Sequence, residues 1–156
     1  MAYEGLKATE IIELQWQDLI SSSHLQTLTV SGPKSRTIRL QDRTFECLAD
    51  YVRAFTCWQN RQDLDSPATY RWIFVAFKGK DQFLTLPHLT RHGLKFMLHE
   101  LGQKTGINHL HTESLRHHAI AFQLSLGHGP EDIMQHLGLR RLGNVGKHLA
   151  CLRGLL

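Results

Sequence analysis

Long apolar runs are missing from this 156-residue sequence, and no stretch approaches the roughly 20 residues that cross a bilayer. Neither a helical membrane anchor nor a signal peptide is therefore expected. Cysteine is scarce. Cys47, Cys57 and Cys151 are an odd, widely spaced set, which argues against a disulfide framework and suits a reducing cytoplasm. Neither C-x-x-C nor H-E-x-x-H occurs, so the 11 histidines do not form a recognisable zinc pattern. His109 with His111, His117 with His118, and His148 with Cys151 are the neighbouring pairs, and none completes a set of four ligands. No metal and no cofactor are expected. A glycine-rich phosphate loop, a serine-histidine-acid motif, internal repeats and low-complexity tracts are all lacking. Tyrosine occurs only at Tyr3, Tyr51 and Tyr70.

Acidic residues stop at Asp132, after which Arg140, Arg141, Lys147 and Arg153 follow, with His136 and His148 among them. Lys34, Arg36 and Arg39 form a second basic cluster, and Arg91, His92 and Lys95 a third. The net charge of +4 is mild, but clusters of this kind neutralise phosphates if the fold gathers them on one face. The alternative is a set of solvated surfaces. With 42% hydrophobic and 21% charged residues, the composition is that of an ordinary globular domain, and residues 1–156 are read as one.

Helical spacing runs from the start through Leu6, Ile11, Leu14 and Leu19, an abrupt opening that fits either a chain beginning at a helix end or the loss of an upstream segment. Leu25 to Val30 and Arg36 to Leu40 read as a hairpin around the turn signal Ser31-Gly32-Pro33-Lys34. Asp42 is placed to cap a helix carrying Phe45, Leu48, Ala49, Val52 and Phe55. Thr56 to Thr69 reads as a loop broken at Pro67, and Trp72 to Val75 as a buried strand. Lys78-Gly79-Lys80-Asp81 reads as a turn into Phe83-Leu84-Thr85. A helix follows from Pro87 to Lys104, with Leu89, Phe96, Met97 and Leu101 inward. Thr112 caps a helix to Leu126 whose apolar face is Leu115, Ala119, Phe122 and Leu126. Pro130, with Glu131 and Asp132 facing the dipole, starts another that stops at Gly138. A last amphipathic segment carries Val145, Leu149, Leu152 and Leu156. The fold class is mainly α with a small antiparallel sheet in the N-terminal third.

Gly5, Leu6, Glu10, Leu14, Trp16, Asp18 and Leu19 fall into a pattern G-L-R-x-x-E-l-x-x-L-x-W-x-D-i. Lys34, Arg36, Ile38 and Leu40 match K-x-x-K-x-R-x-v-x-L. Leu115-Arg116-His117 and Leu137-Gly138-Leu139 match H-x-L-R-H and L-G-H. The four pieces, in order from Gly5 to about Leu149, resemble the catalytic domain of tyrosine recombinases, the phage integrases. That resemblance implies an integrase-like fold, double-stranded DNA as partner, and a role in recombination or integration.

The resemblance also shows where the family's chemistry has changed. Two arginines clamp the scissile phosphate in that family, their planar forks bonding paired oxygens. Arg116 matches the second, while Lys7 replaces the first and loses the fork. Glu113 stands where a histidine is usual, Leu139 replaces the L-G-H histidine, and Ser31 aligns with the hairpin lysine. His148 stands at the nucleophilic tyrosine. The matching positions therefore predict a catalytically degenerate domain with no assured catalytic residue. Lys7, Lys34, Arg36, Arg116, Arg140 and Arg141 are the candidate DNA contacts.

Other readings stay open. Arg116 could pair with Glu113 or Glu10 as a structural ion pair, and Lys7 could be a solvated lysine. Missing catalytic groups could come from another segment or subunit, which would leave an active integrase. The domain could also be a protein-interaction module that keeps only the fold. The leucines at 149, 152, 155 and 156 either dock onto another copy or a recombinase partner, or pack on the domain's own core.

Overall fold

Alternation along the front hairpin decides which side chains turn inward. In the computed structural model, which describes residues 2–21, 26–32, 35–61, 71–78, 82–83 and 88–153, β1 (Leu19–Ser21), β2 (Gln26–Val30) and β3 (Arg36–Arg39) form an antiparallel sheet in sequence order. Leu28 pairs with Leu19 on one side and Ile38 on the other. Because successive strand residues face opposite ways, Leu28 and Val30 share the buried face, as do Ile38 and, just past the strand, Leu40. Arg36 has the same parity and turns inward with them. Thr37 and Arg39 point out and are exposed.

Helices α1 (Ala8–Ile12), α2 (Asp42–Arg61), α3 (Arg91–Thr105), α4 (Thr112–Ser125), α5 (Pro130–His136) and α6 (Leu142–Arg153) make up most of the described chain. The expected mainly α class with a small sheet is the observed one. A second, two-stranded ladder pairs β4 (Phe77–Lys78) with β5 (Gln82–Phe83). Among the described residues no helix is long and apolar enough to cross a membrane.

Two apolar clusters hold these elements. The larger joins Leu6, Ile11 and Leu14 to the sheet, Ile73, Leu89 and the inner face of α3; the smaller is Ile120, Ile133, Leu137 and Val145. Full burial of one such side chain stabilises by about 1.5–3 kcal/mol. Gly5 locks the first motif onto the smaller cluster. Its φ is +64°, and a Cβ there would lie 2.0 Å from a Leu137 methyl, so only glycine satisfies both backbone and packing.

Several expectations need correction. The N-terminal helix ends at Ile12 instead of continuing to Leu19, because Gln15 N–H donates to Asp18 Oδ2 and closes a 3-10 turn at Trp16–Asp18 that feeds β1. α2 runs on to Arg61, beyond the loop expected from Thr56; Pro67 lies outside the described residues. Trp72 to Val75 is not a strand: Trp72 makes only an isolated bridge to Gln15, although Ile73 and Val75 are buried. The turn residues 79–81 and Leu84, Thr85 and Pro87 lie outside the described residues.

On α3 the inward stripe is Leu94, Leu98 and Gly102. Phe96, Met97 and Leu101 are 55%, 54% and 48% exposed, against expectation. Thr112 is the first helical residue of α4, and the cap is His111, whose Nδ1 accepts from Ser114 N–H. The buried stripe of α4 is Arg116, Ala119, Ile120 and Gln123. It is out of phase with the Leu115, Ala119, Phe122 and Leu126 face, and Leu126 is exposed. On α6 Val145 is buried as expected. The side chains of Leu149 and Leu152, and all of Leu155 and Leu156, lie outside the described residues.

Candidate functional site

The site begins at the start of α1. Lys7 N–H donates to Glu10 Oε2 at 2.8 Å, turning the carboxylate back over the helix end, where an acid also suits the dipole. Glu10 then receives Arg36 through both forks, Nη1 to Oε1 at 2.9 Å and Nη2 to Oε2 at 3.1 Å. Arg36 Nε donates to the His136 carbonyl at 2.7 Å. Burial pushes the Glu10 carboxyl upward, but the Arg36 bonds, the Lys7 N–H and both nearby cations outweigh it and leave its pKa below the ordinary value. Arg36 was expected to meet phosphate. Instead all three of its guanidinium nitrogens are engaged within the protein, a consequence of its parity with Ile38 and Leu40.

Arg116 has the opposite character. It lies on the inner stripe of α4, only 5% exposed, yet its Nε and Nη2 have no hydrogen-bond partner among the described residues. Burial pulls its pKa below the usual arginine value, Glu113 and Glu10 push it back up, and Arg36 adds to the lowering. The direct partner that Glu10 would have provided is taken by Arg36.

Beside Arg116, Glu113 and His117 of α4 meet His148 of α6. One ligand-type atom from each lies within 4.8 Å of the others. The two imidazoles are edge-on, with ring centroids 4.9 Å apart and planes at 65°. Burial lowers the pKa of His148, His117 and Arg116 lower it further, and Glu113 opposes them.

An open cleft of about 550 Å³ brings together Lys7, Ser31, Leu139 and Arg140, with Glu10, Glu13 and Asn144 also in its wall. Four of the positions picked from the sequence therefore share one depression. Arg116 is tied to that wall electrostatically, through Glu10. Arg141 is exposed and is not part of the cleft lining. Lys34 lies outside the described residues. Sequence reasoning missed two features, the Glu10–Arg36 pair and the Glu113–His117–His148 cluster. The first was signalled by strand parity. The second was half signalled by the four-residue spacing of Glu113 and His117, but its third member comes from another helix.

With this geometry in view, comparison with known proteins is decisive on kinship. The sequence profile of the phage integrase family matches residues 1–147. The chain belongs to the phage integrase family. No curated protein sequence matches it. Among solved structures, this integrase-family chain is similar to XerA recombinase, with a TM-score of 0.75, 20% identity, and coverage of 99% of this chain and 52% of that one. It is also similar to XerH site-specific recombinase bound to difH substrate in a pre-cleavage complex (TM-score 0.70, 18% identity, 95% and 40% coverage). The Tn1549 transposon integrase in complex with circular intermediate DNA follows at TM-score 0.66 and 14% identity, with 94% and 50% coverage. At these identities the TM-scores establish a shared fold alone. The chain spans about half the length of the XerA and Tn1549 proteins and less of XerH.

Proposed function

We propose that this integrase-family chain is a DNA-binding component of recombination or integration that does not itself cut DNA. In this reading residues 1–156 are one recombinase-type domain, which grips duplex phosphates with Arg116, Lys7, Arg140, Arg141 and Lys34. Arg116 carries the proposal. A guanidinium that is buried with two unpaired donors is costly, and an incoming phosphate oxygen pair relieves that cost through the planar fork. The cleft whose wall includes Glu10, a carboxylate that acts on Arg116 through space, also holds Lys7 and Arg140. XerH and the Tn1549 integrase, which share the fold, are proteins captured on DNA.

Loss of cleavage is supported by the side chains at the reacting positions. His148 stands at the nucleophile, Glu113 places an anion where the substrate is anionic, and Leu139 offers no hydrogen bond. Of the chain's tyrosines, Tyr51 donates its hydroxyl to the Ile73 carbonyl at 3.0 Å, and Tyr3 packs its ring on His118 and Phe122. Tyr70 lies outside the described residues. The C-terminal helix has a second role in this reading, docking onto another copy or a recombinase partner through its leucines.

Equilibrium binding to a plain duplex and a four-way junction across a salt series tests the proposal. Affinity should fall steeply with salt, log K dropping by about 0.9 per log unit of salt for each phosphate contacted. Lys7→Ala and Arg140→Ala should each lower that slope by about one contact. No DNA adduct should form on the chain. Absence of binding at low salt would overturn the reading and direct attention to protein partners.

A further inference from the structure

Glu113 and His117 are four residues apart on α4, which sets both on one face of the helix. His148 reaches them from α6, and the three donor atoms lie within 4.8 Å of one another. Two imidazoles and one carboxylate form a donor set that borderline divalent transition ions favour, with three protein ligands and one position left for water or another ligand. The rings of His117 and His148 lie edge to face, with centroids 4.9 Å apart, so both imidazoles are within reach of one ion. Both imidazoles are half-buried and Glu113 is exposed, so an ion can enter from the carboxylate side.

From this juxtaposition we propose that Glu113, His117 and His148 form a binding site for one divalent first-row transition ion of the zinc or cobalt kind. The ion needs ligand atoms about 2.0–2.2 Å from it, so side-chain rotations that draw the three donors together complete the site. Both helices are already fixed by packing. Ile120 of α4 and Val145 of α6 sit in the same buried cluster, which holds the ligand-bearing backbones at a constant separation. The nearby Arg116 charge works against a cation, and the carboxylate of Glu113 offsets it by supplying negative charge at the ion itself.

The test uses the untagged full chain and the metal alone, so its result is independent of any DNA interaction. Titration with Co²⁺, followed by its visible absorption, should saturate at one ion per chain, and Zn²⁺ should displace it. Glu113→Gln, His117→Ala and His148→Ala should each weaken binding at least tenfold, since loss of even an outer partner costs roughly 10- to 100-fold. The double variant His92→Ala/His99→Ala, at exposed histidines of α3, should bind as the parent does. Circular dichroism establishes that each variant is folded, and Glu113→Gln at an exposed position is the safest of them. A parent chain that takes up no single equivalent would overturn the site. So would wild-type affinity in any folded variant of the three.

Discussion

Arg36 and Glu10 meet through both of their forks, at 2.9 and 3.1 Å, although they are 26 residues apart. The pair ties β3 to α1, and the third nitrogen of Arg36 reaches the last residue of α5. One side chain therefore ties three elements together, and one of them, α1, lines the cleft. A guanidinium that basic clustering assigns to DNA is instead part of the frame that positions other groups.

The first prediction concerns acid. Glu10 has a depressed pKa in the folded chain, so its contribution is complete above the unfolded value of about 4.3 and disappears as pH falls through the lower folded value. Both side chains are nearly buried, at 13% and 11% exposure, and removing one partner of such a pair costs roughly 3 kcal/mol. Glu10→Gln should therefore be clearly less stable than the parent at pH 7 by denaturant unfolding. The gap should narrow as the pH is taken below about 4. A gap that does not change with pH would show that the carboxylate's charge has no part in the pairing.

A second prediction separates backbone strain from contact. Gly138 and Gly106 both have positive φ, at +60° and +72°, where alanine costs roughly 1–2 kcal/mol. A Cβ on Gly106 would meet nothing within 4 Å, but one on Gly138 would lie 2.7 Å from Arg36 Nη1. Arg36 cannot yield without losing Glu10 or the His136 carbonyl. Gly138→Ala should therefore be markedly more destabilising than Gly106→Ala, by thermal melts of the two variants side by side. Equal losses would mean that Arg36 moves aside freely.

Much of the fold was legible because its signals are local. The Ser31-Gly32 turn and the alternation at Leu28, Val30, Ile38 and Leu40 define the hairpin. Pro130 with Asp132 defines the start of α5, where Gly129 N–H donates to the Asp132 carboxylate. Helix phase was harder to read. On α4 a polar residue, Arg116, occupies the innermost stripe, so the apolar residues alone point to a neighbouring face. On α3 Gly102 occupies an inward position that a hydrophobicity count passes over, while Phe96 and Met97 mislead by being apolar and exposed. The motif positions Lys7, Ser31 and Leu139 could be gathered from sequence because they follow a known order along the chain, and Arg140 because it opens the basic stretch after Asp132. Glu113 and His148 are motif positions too, but that His117 joins them could not be read that way, because it depends on how α6 packs against α4.

The last prediction uses stability to decide what Arg116 is for. If the guanidinium is held ready for phosphate, the free chain bears the cost of a desolvated charge with idle donors. Arg116→Met keeps a long flexible stem, removes the charge and fills the same space with apolar atoms. Replacing buried charge by packed hydrophobic volume is often stabilising by 1–4 kcal/mol, and each kcal/mol moves the melting point by roughly 2–4 °C in a chain of this size. The variant should melt higher than the parent while losing DNA affinity. Arg116→Lys, which keeps the charge but not the fork, should bind DNA more weakly than the parent without the rise in melting point. A lower melting point for Arg116→Met would mean that Glu113 and Glu10 already satisfy the arginine through space. Its role would then be structural, and the case for a phosphate clamp would lose its main support.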